Sequence, residues 1–132
     1  MINGAHVLFY STDPDADRGF FRDVLGFPYV DVGGGWLIFG LPPAEAAVHP
    51  SSGAFVQRHG DHPMLGALVY LMCDDVRAMV KSLAAKKVTC TALEEADWGI
   101  TTAVPLPSGG YVGLYQPKHP TALGFDERAA RQ

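Results

Sequence analysis

Cysteine is scarce. Cys73 and Cys90 are the only two in 132 residues, too few for the disulfide framework of a secreted scaffold. Basic charge is also short. Ten Lys and Arg against fourteen Asp and Glu leave a formal net charge of -4, and the cations are scattered, with none of the clustering a nucleic-acid face requires. No apolar run approaches the roughly 20 residues that cross a bilayer, so no membrane segment is expected. Met1 to Tyr10 has no basic stretch followed by a long apolar core, so no signal peptide is read there. These gaps together predict a soluble, cytoplasmic protein. What is present is apolar: 48% of residues are hydrophobic and 18% charged, too apolar for a disordered chain and enough for one packed domain. Fifteen Gly and ten Pro predict many turns and a strand-rich fold.

The order of elements repeats. Residues 5–13 read as a strand, rich in aromatic and apolar side chains and ended by Asp13-Pro14. That pair is also a helix start, an N-cap acceptor followed by a residue with no N–H to lose. Phe20, Phe21, Val24 and Leu25 give the helix one apolar face, and Gly26 is placed to end it. Strands are predicted at Tyr29–Val32, Trp36–Phe39 and about Glu45–His49. The second half runs through the same order. Ala67–Cys73 reads as a strand, Asp75 as a cap, and Val76, Met79, Val80 and Leu83 as a helix face. Further strands are expected at Val88–Ala92, Ile100–Val104 and Tyr111–Gln116. Asp13 and Asp75 lie 62 residues apart (75 - 13). Module 1 therefore spans about 4–50, a linker 51–65, module 2 about 66–117 and a tail 118–132, with a short helix expected at Phe125–Arg131.

Three segments carry a family resemblance. Phe20-Phe21-Arg22-Asp23-Val24-Leu25-Gly26-Phe27 is similar to an F-Y-x-x-x-L-G-F helix, Cys73-Asp74-Asp75-Val76 to a second-repeat strand end and cap, and Pro107–Pro117 to a P-D-G-N-x-x-E-L-Y-x-P closing strand. In this the chain resembles the vicinal oxygen chelate superfamily of glyoxalase I, bleomycin-resistance proteins and extradiol dioxygenases, over residues 4–118. The resemblance implies an α+β fold in which two βαβββ modules form a curled, half-open, eight-stranded barrel-like sheet with flanking helices around a ligand cavity. It also implies a homodimer.

Metal-dependent members hold a divalent ion with His and Glu from the first and last strands of each module. The first-strand ligand stands seven residues before the cap Asp, which gives His6 in module 1 and Leu68 in module 2. The closing-strand Glu falls at Gly113, two residues before Tyr115, and at Ala46 in module 1, with Glu45 one residue away. One ligand of four remains, so no metal cofactor is expected. The alternative is an atypical site joining His6 to His49, His59 or His62 and holding Fe, Mn, Ni or Zn.

Strand alternation places residues two apart on one face. The cavity lining expected from it is His6, Leu8 and Tyr10; Leu68, Tyr70 and Met72; and Tyr111, Gly113 and Tyr115. Trp98 follows Asp97 at a loop edge, placed either to close the mouth or to make a surface or dimer contact. Gly113 leaves room where relatives carry a carboxylate, and Cys73 is expected to pack between strand and helix. An apolar, aromatic lining with phenol and imidazole handles suits a small, flat organic ligand. Two functions stay open: a metal-free protein binding a hydrophobic or aromatic compound, and a glyoxalase- or dioxygenase-like lyase or oxidoreductase with a departed ligand set. Neither nucleic acid nor membrane is an expected partner.

Overall fold

The computed structural model describes residues 6–45, 47–48 and 56–120, with the side chains of 56–59 and 63–65 left aside. These residues form two compact units. The first comprises the described residues up to Leu41 together with Pro105–Tyr111, and the second those from Pro42 to Val104 and from Val112 onward. The elements in chain order are α1 (Pro14–Asp23), β1 (Tyr29–Asp31), β2 (Leu37–Phe39), β3 (Val56–His59), β4 (His62–Leu65), β5 (Tyr70–Met72), α2 (Val76–Ala85), β6 (Glu94–Ala96), β7 (Gly99–Pro105) and β8 (Tyr111–Pro117). This is an α+β fold. Its strands fall into three sheets, β1-β2, β3-β4 and β5-β8-β7-β6, so among the described residues one eight-stranded sheet is not formed. No described helix is long and apolar enough to cross a membrane.

In the first unit α1 starts as expected. The Asp13 carboxylate accepts from the Ala16 N–H at 3.3 Å, with Pro14 in the first turn. Gly26 at φ +71 turns the chain off the helix end, and the Phe27 N–H reaches back to the Phe21 carbonyl at 3.1 Å. The left-handed conformation is one that a side chain would strain. Phe21 is 7% exposed and is the hub of the unit. Its ring meets Phe9, Phe39 and Phe27 edge-on at 5.3, 5.5 and 5.8 Å. β1 and β2 pair antiparallel, Val30 opposite Ile38, around the Gly33-Gly34-Gly35 turn.

The closing turn of β7 and β8 belongs to this unit, and Asp17 of α1 holds it there. The Ser108 N–H donates to the Asp17 carboxylate at 3.1 Å, and the Thr12 hydroxyl donates to the Ser108 carbonyl at 3.3 Å. Asp17 is buried. Burial raises its pKa, but hydrogen bonds from Ser11 and Ser108 together outweigh it and hold the carboxyl below the usual range.

In the second unit α2 is capped by Asp75, whose carboxylate accepts from the Ala78 N–H at 3.0 Å. Val76 and Leu83 of α2 and Ile100, Val104, Val112 and Leu114 of the sheet are its buried apolar residues. The strand residues sit at alternating positions, so they share one face of β7 and β8. The Val76 N–H donates to the Gln116 side-chain carbonyl at 2.9 Å, which fixes the helix start against β8. β5 pairs parallel with β8, Tyr70 opposite Gly113 and Met72 opposite Tyr115. Cys73 is half-buried, its Sγ 3.8 Å from the Tyr115 carbonyl.

Four expectations are corrected. Residues 6–13 form no strand, since β1 and β2 pair only with each other and leave the segment without a ladder; it rests on α1 through Phe9 instead. Among the described residues of 45–49 there is no strand either, and Ala44, Glu45 and Ala47 have little β propensity. Val88–Ala92 is not a strand: the Thr91 N–H donates to the Ala103 carbonyl at 3.0 Å, but the Thr91 hydroxyl takes the Ala103 N–H at 2.9 Å, the role a neighbouring carbonyl would fill, and regular strand pairing starts at Glu94. Residues within the expected linker instead form the β3-β4 hairpin, with His59 opposite His62 across Gly60-Asp61, a two-residue connection that fits a tight turn. The expected tail helix at 125–131 lies outside the described residues.

Candidate aromatic binding site

The candidate site is built on the open face of the four-stranded sheet. Val112 and Leu114 of β8 are 3% and 2% exposed, so Gly113 and Tyr115 point to the opposite face. Tyr70 on the neighbouring strand lies over Gly113. A Cβ at Gly113 would run into the Tyr70 ring, meeting Cε1 at 2.6 Å and Cγ at 2.8 Å. Gly99 is occupied in the same way, by the Tyr115 ring and the Gln116 carbonyl. Each glycine thus admits an aromatic ring across the sheet.

Tyr115 is the centre of the group. Its ring lies 6.1 Å from Tyr70 at 67°, 5.7 Å from Trp98 at 62° and 5.7 Å from the His119 imidazole at 41°. Tyr70 and Trp98 remain 47% and 54% exposed, so the cluster is open to solvent rather than core. The Tyr115 hydroxyl donates to the Trp98 carbonyl at 3.1 Å, and the Lys118 N–H donates to the same oxygen at 2.9 Å. That pins the β6-β7 turn to the end of β8. Burial raises the Tyr115 pKa, and the negative charge of Glu45 raises it further, so the phenol is a hydrogen-bond donor and not a base at neutral pH. His119 donates from Nδ1 to the Pro120 carbonyl at 2.7 Å, and its Nε2 lies 4.0 Å from Glu45 Oε2, an ion pair only when the imidazole is protonated. Lys118 is bound to Glu95 at 2.7 Å, whose carboxyl pKa is lowered by that hydrogen bond and by the Lys118 charge.

The residues expected from the sequence divide between the units. Tyr70, Gly113, Tyr115 and Trp98 come together in the second unit. Met72 stands opposite Tyr115 in the ladder, and Leu68 is 78% exposed just before β5. His6, Leu8 and Tyr10 lie in the first unit, all exposed, on the positions alternate to Phe9, and Tyr111 is exposed at the head of β8. Gly113 does not leave room for a carboxylate; Tyr70 fills that space. Two members of the cluster were missed. Glu45 entered only as a neighbour of Ala46, and His119 follows the closing strand with no motif to mark it.

The resemblance assigns divalent-metal ligands to four positions, and of these His6 carries a donor side chain. Leu68 and Gly113 stand at two ligand positions and Ala46, outside the described residues, at a third. Among the described residues no three His, Cys, Asp or Glu are grouped to hold an ion. His62 is exposed, and His49 and the His59 side chain are not described.

The sequence matches the family model described as Glyoxalase/Bleomycin resistance protein/Dioxygenase superfamily over residues 4–103. The chain belongs to this superfamily. Solved structures share its fold. One is TnmS3, an antibiotic binding protein from Streptomyces sp. CB03234, with TM-score 0.56 and 22% identity over 89% of this chain and 99% of that one. Lactoylglutathione lyase from Agrobacterium tumefaciens has TM-score 0.60 and 19% identity over 93% and 97%. UcmS2 has TM-score 0.56 and 17% identity over 87% and 98%. Comparison with curated proteins gives no match. The fold is thus shared by a binding protein and a lyase, and fold alone does not choose between them.

Proposed function

We propose that this superfamily member is a cytoplasmic, homodimeric binding protein that holds a hydrophobic or aromatic small molecule without a protein-bound metal. The observation that carries the reading is the half-exposed ring set of Tyr70, Trp98 and Tyr115. A neighbour that is itself an antibiotic binding protein fits it. Covering the exposed halves of two such rings removes about 150–250 Å² from water, or roughly 4–6 kcal/mol before the cost of association. Micromolar affinity needs about 8 kcal/mol net, so further contacts are required. The proposal assigns part of them to Leu68 and Met72, which lie in the same unit as the rings, Leu68 exposed and Met72 opposite Tyr115.

The test is a thermal-shift screen of aromatic compounds, with elemental analysis of the purified chain. Binders that lose affinity in Tyr70→Ala and Trp98→Ala support the reading. Stoichiometric Fe, Mn, Ni or Zn that is lost in His6→Ala would overturn its metal-free part and restore the lyase or dioxygenase alternative. Sedimentation as a monomer at micromolar concentration would overturn the dimer.

A further inference from the structure

The outer face of the β1-β2 pair is apolar and open to solvent. Phe39 turns its ring to Phe21, so Ile38 and its ladder partner Val30 face the other way. The pairing continues one step further, the Val32 N–H donating to the Trp36 carbonyl at 3.1 Å. Val32 and Trp36 therefore fall on the same face as Val30 and Ile38. Val30 and Val32 are each 60% exposed, Trp36 58% and Ile38 37%. Four such neighbours make a patch, which is a different thing from single apolar residues scattered over a surface. Arg18 of α1, held by Asp15 at 3.0 Å, sets its guanidinium 4.5 Å from the centre of the Trp36 ring. That contact steadies the indole and still leaves it exposed.

Trp36 has a counterpart. It lies 62 residues before Trp98 (98 - 36), the offset that separates the caps Asp13 and Asp75. Each tryptophan stands directly before the second strand of an antiparallel pair, Trp36 before β2 and Trp98 before β7. They are the two tryptophans of the chain, and both are about half exposed. The repeat thus sets one open indole at the same point of each module. Trp98 has Tyr115 beside it, whereas the neighbours of Trp36 on its face are aliphatic.

We propose that Val30, Val32, Trp36 and Ile38 form a second binding face, which takes a flat aromatic compound against the indole and the three aliphatic side chains. The chemistry of the occupant rests on the aromatic-binding reading above; the face itself belongs to the first unit and does not depend on the ring cluster. Size argues for a small molecule over a second copy of the chain. At these exposures the four side chains offer on the order of 300 Å² of apolar surface. A stable dimer buries about 800 Å² on each partner, whereas a patch of this size covers one side of a fused-ring compound.

The experiment follows the two indole N–H signals of the isotope-labelled full chain by NMR as 2-naphthol is added. Trp36→Phe and Trp98→Phe assign the signals. Ring-current shifts are short-ranged, so each signal reports on its own surroundings. The expected result is a saturable shift of the Trp36 signal. Val30→Thr with Ile38→Thr, checked for unchanged melting, keeps the strand-forming branch and makes the face polar. It raises the Kd read at Trp36 about tenfold and leaves the Kd read at Trp98 unaltered. An unchanged Kd at Trp36 in that variant overturns the proposal. A Trp36 signal that stays still while that of Trp98 saturates refutes the second face and leaves the aromatic-binding reading standing. The converse keeps this face and refutes binding at the ring cluster, and no shift in either signal refutes both. A Trp36 signal that moves with protein concentration alone shows a second copy on the face and overturns the proposal.

Discussion

The contact between Tyr70 and Gly113 makes a prediction whose sign reverses with background. In the native chain, Gly113→Ala places a methyl into the Tyr70 ring, with Cε1 and Cγ at 2.6 and 2.8 Å and Cδ1 nearer still. The clashing atoms belong to the ring body, so a terminal rotation does not relieve them, and Tyr70 must leave its position beside Tyr115. Overpacking of this kind costs about 1–3 kcal/mol. With Tyr70→Ala in place the obstruction is gone. Gly113 is not among the positive-φ residues, so alanine meets no backbone strain there and gains about 0.5–1 kcal/mol over glycine in a strand. The coupling between the two sites is therefore about 1.5–4 kcal/mol, well beyond the error of additivity. Urea unfolding of the four proteins in the cycle measures it, with m held constant as the sign that the folded and unfolded states are unchanged in extent. A neutral Gly113→Ala in the native background, or a coupling below about 0.5 kcal/mol, would refute the packing argument. It would also reopen the space for a carboxylate at 113.

Other perturbations follow from the caps and buried groups. Asp17→Asn leaves the Ser108 N–H with a weaker, neutral acceptor and costs about 1 kcal/mol at pH 7, the difference between a charged and a neutral hydrogen bond. Because the folded-state pKa of Asp17 is lowered, its contribution is complete above its unfolded value near 4 and is lost as pH falls through the folded value; the variant's urea midpoint should converge on the native one in acid. Asp75→Ala removes the acceptor for the Ala78 N–H and costs about 1 kcal/mol, read from the same unfolding curve, and a neutral result would refute its role as cap. Burial raises the thiol pKa of Cys73 and Cys90 above that of an ordinary thiol, so iodoacetamide labelling should be slower than for a free thiol at pH 7 and should accelerate at higher pH than a free thiol does. Fast labelling at neutral pH would contradict that environment.

The helices were legible because their signals are local. Asp13-Pro14 and Asp75 cap where they were expected to, and the face containing Val76 and Leu83 is the one that is buried. Alternation also assigned the two faces of β8 correctly, since Val112 and Leu114 are inside. Pairing was less legible. Nothing in Val88–Ala92 announces that the Thr91 hydroxyl will take a ladder position, and Pro63 masked the hairpin across Gly60-Asp61. In the candidate site, the strand residues Tyr70 and Tyr115 came from periodicity. Glu45 and His119 lie on segments without regular structure, where no period assigns a face, and their meeting is a property of the folded chain alone.

The clasp between Asp17 and the Ser108 turn has a consequence for how the polypeptide is made. The first unit needs Pro105–Tyr111, so the ribosome must deliver some hundred residues before that unit has all its parts. Translation ordinarily lets the earlier portion fold first. Here the earlier portion waits on a late-arriving loop, and the second unit's helix and most of its strands are synthesised in the interval. Severing the chain between Leu41 and Pro105 would leave the amino-terminal piece without its Ser108 partner.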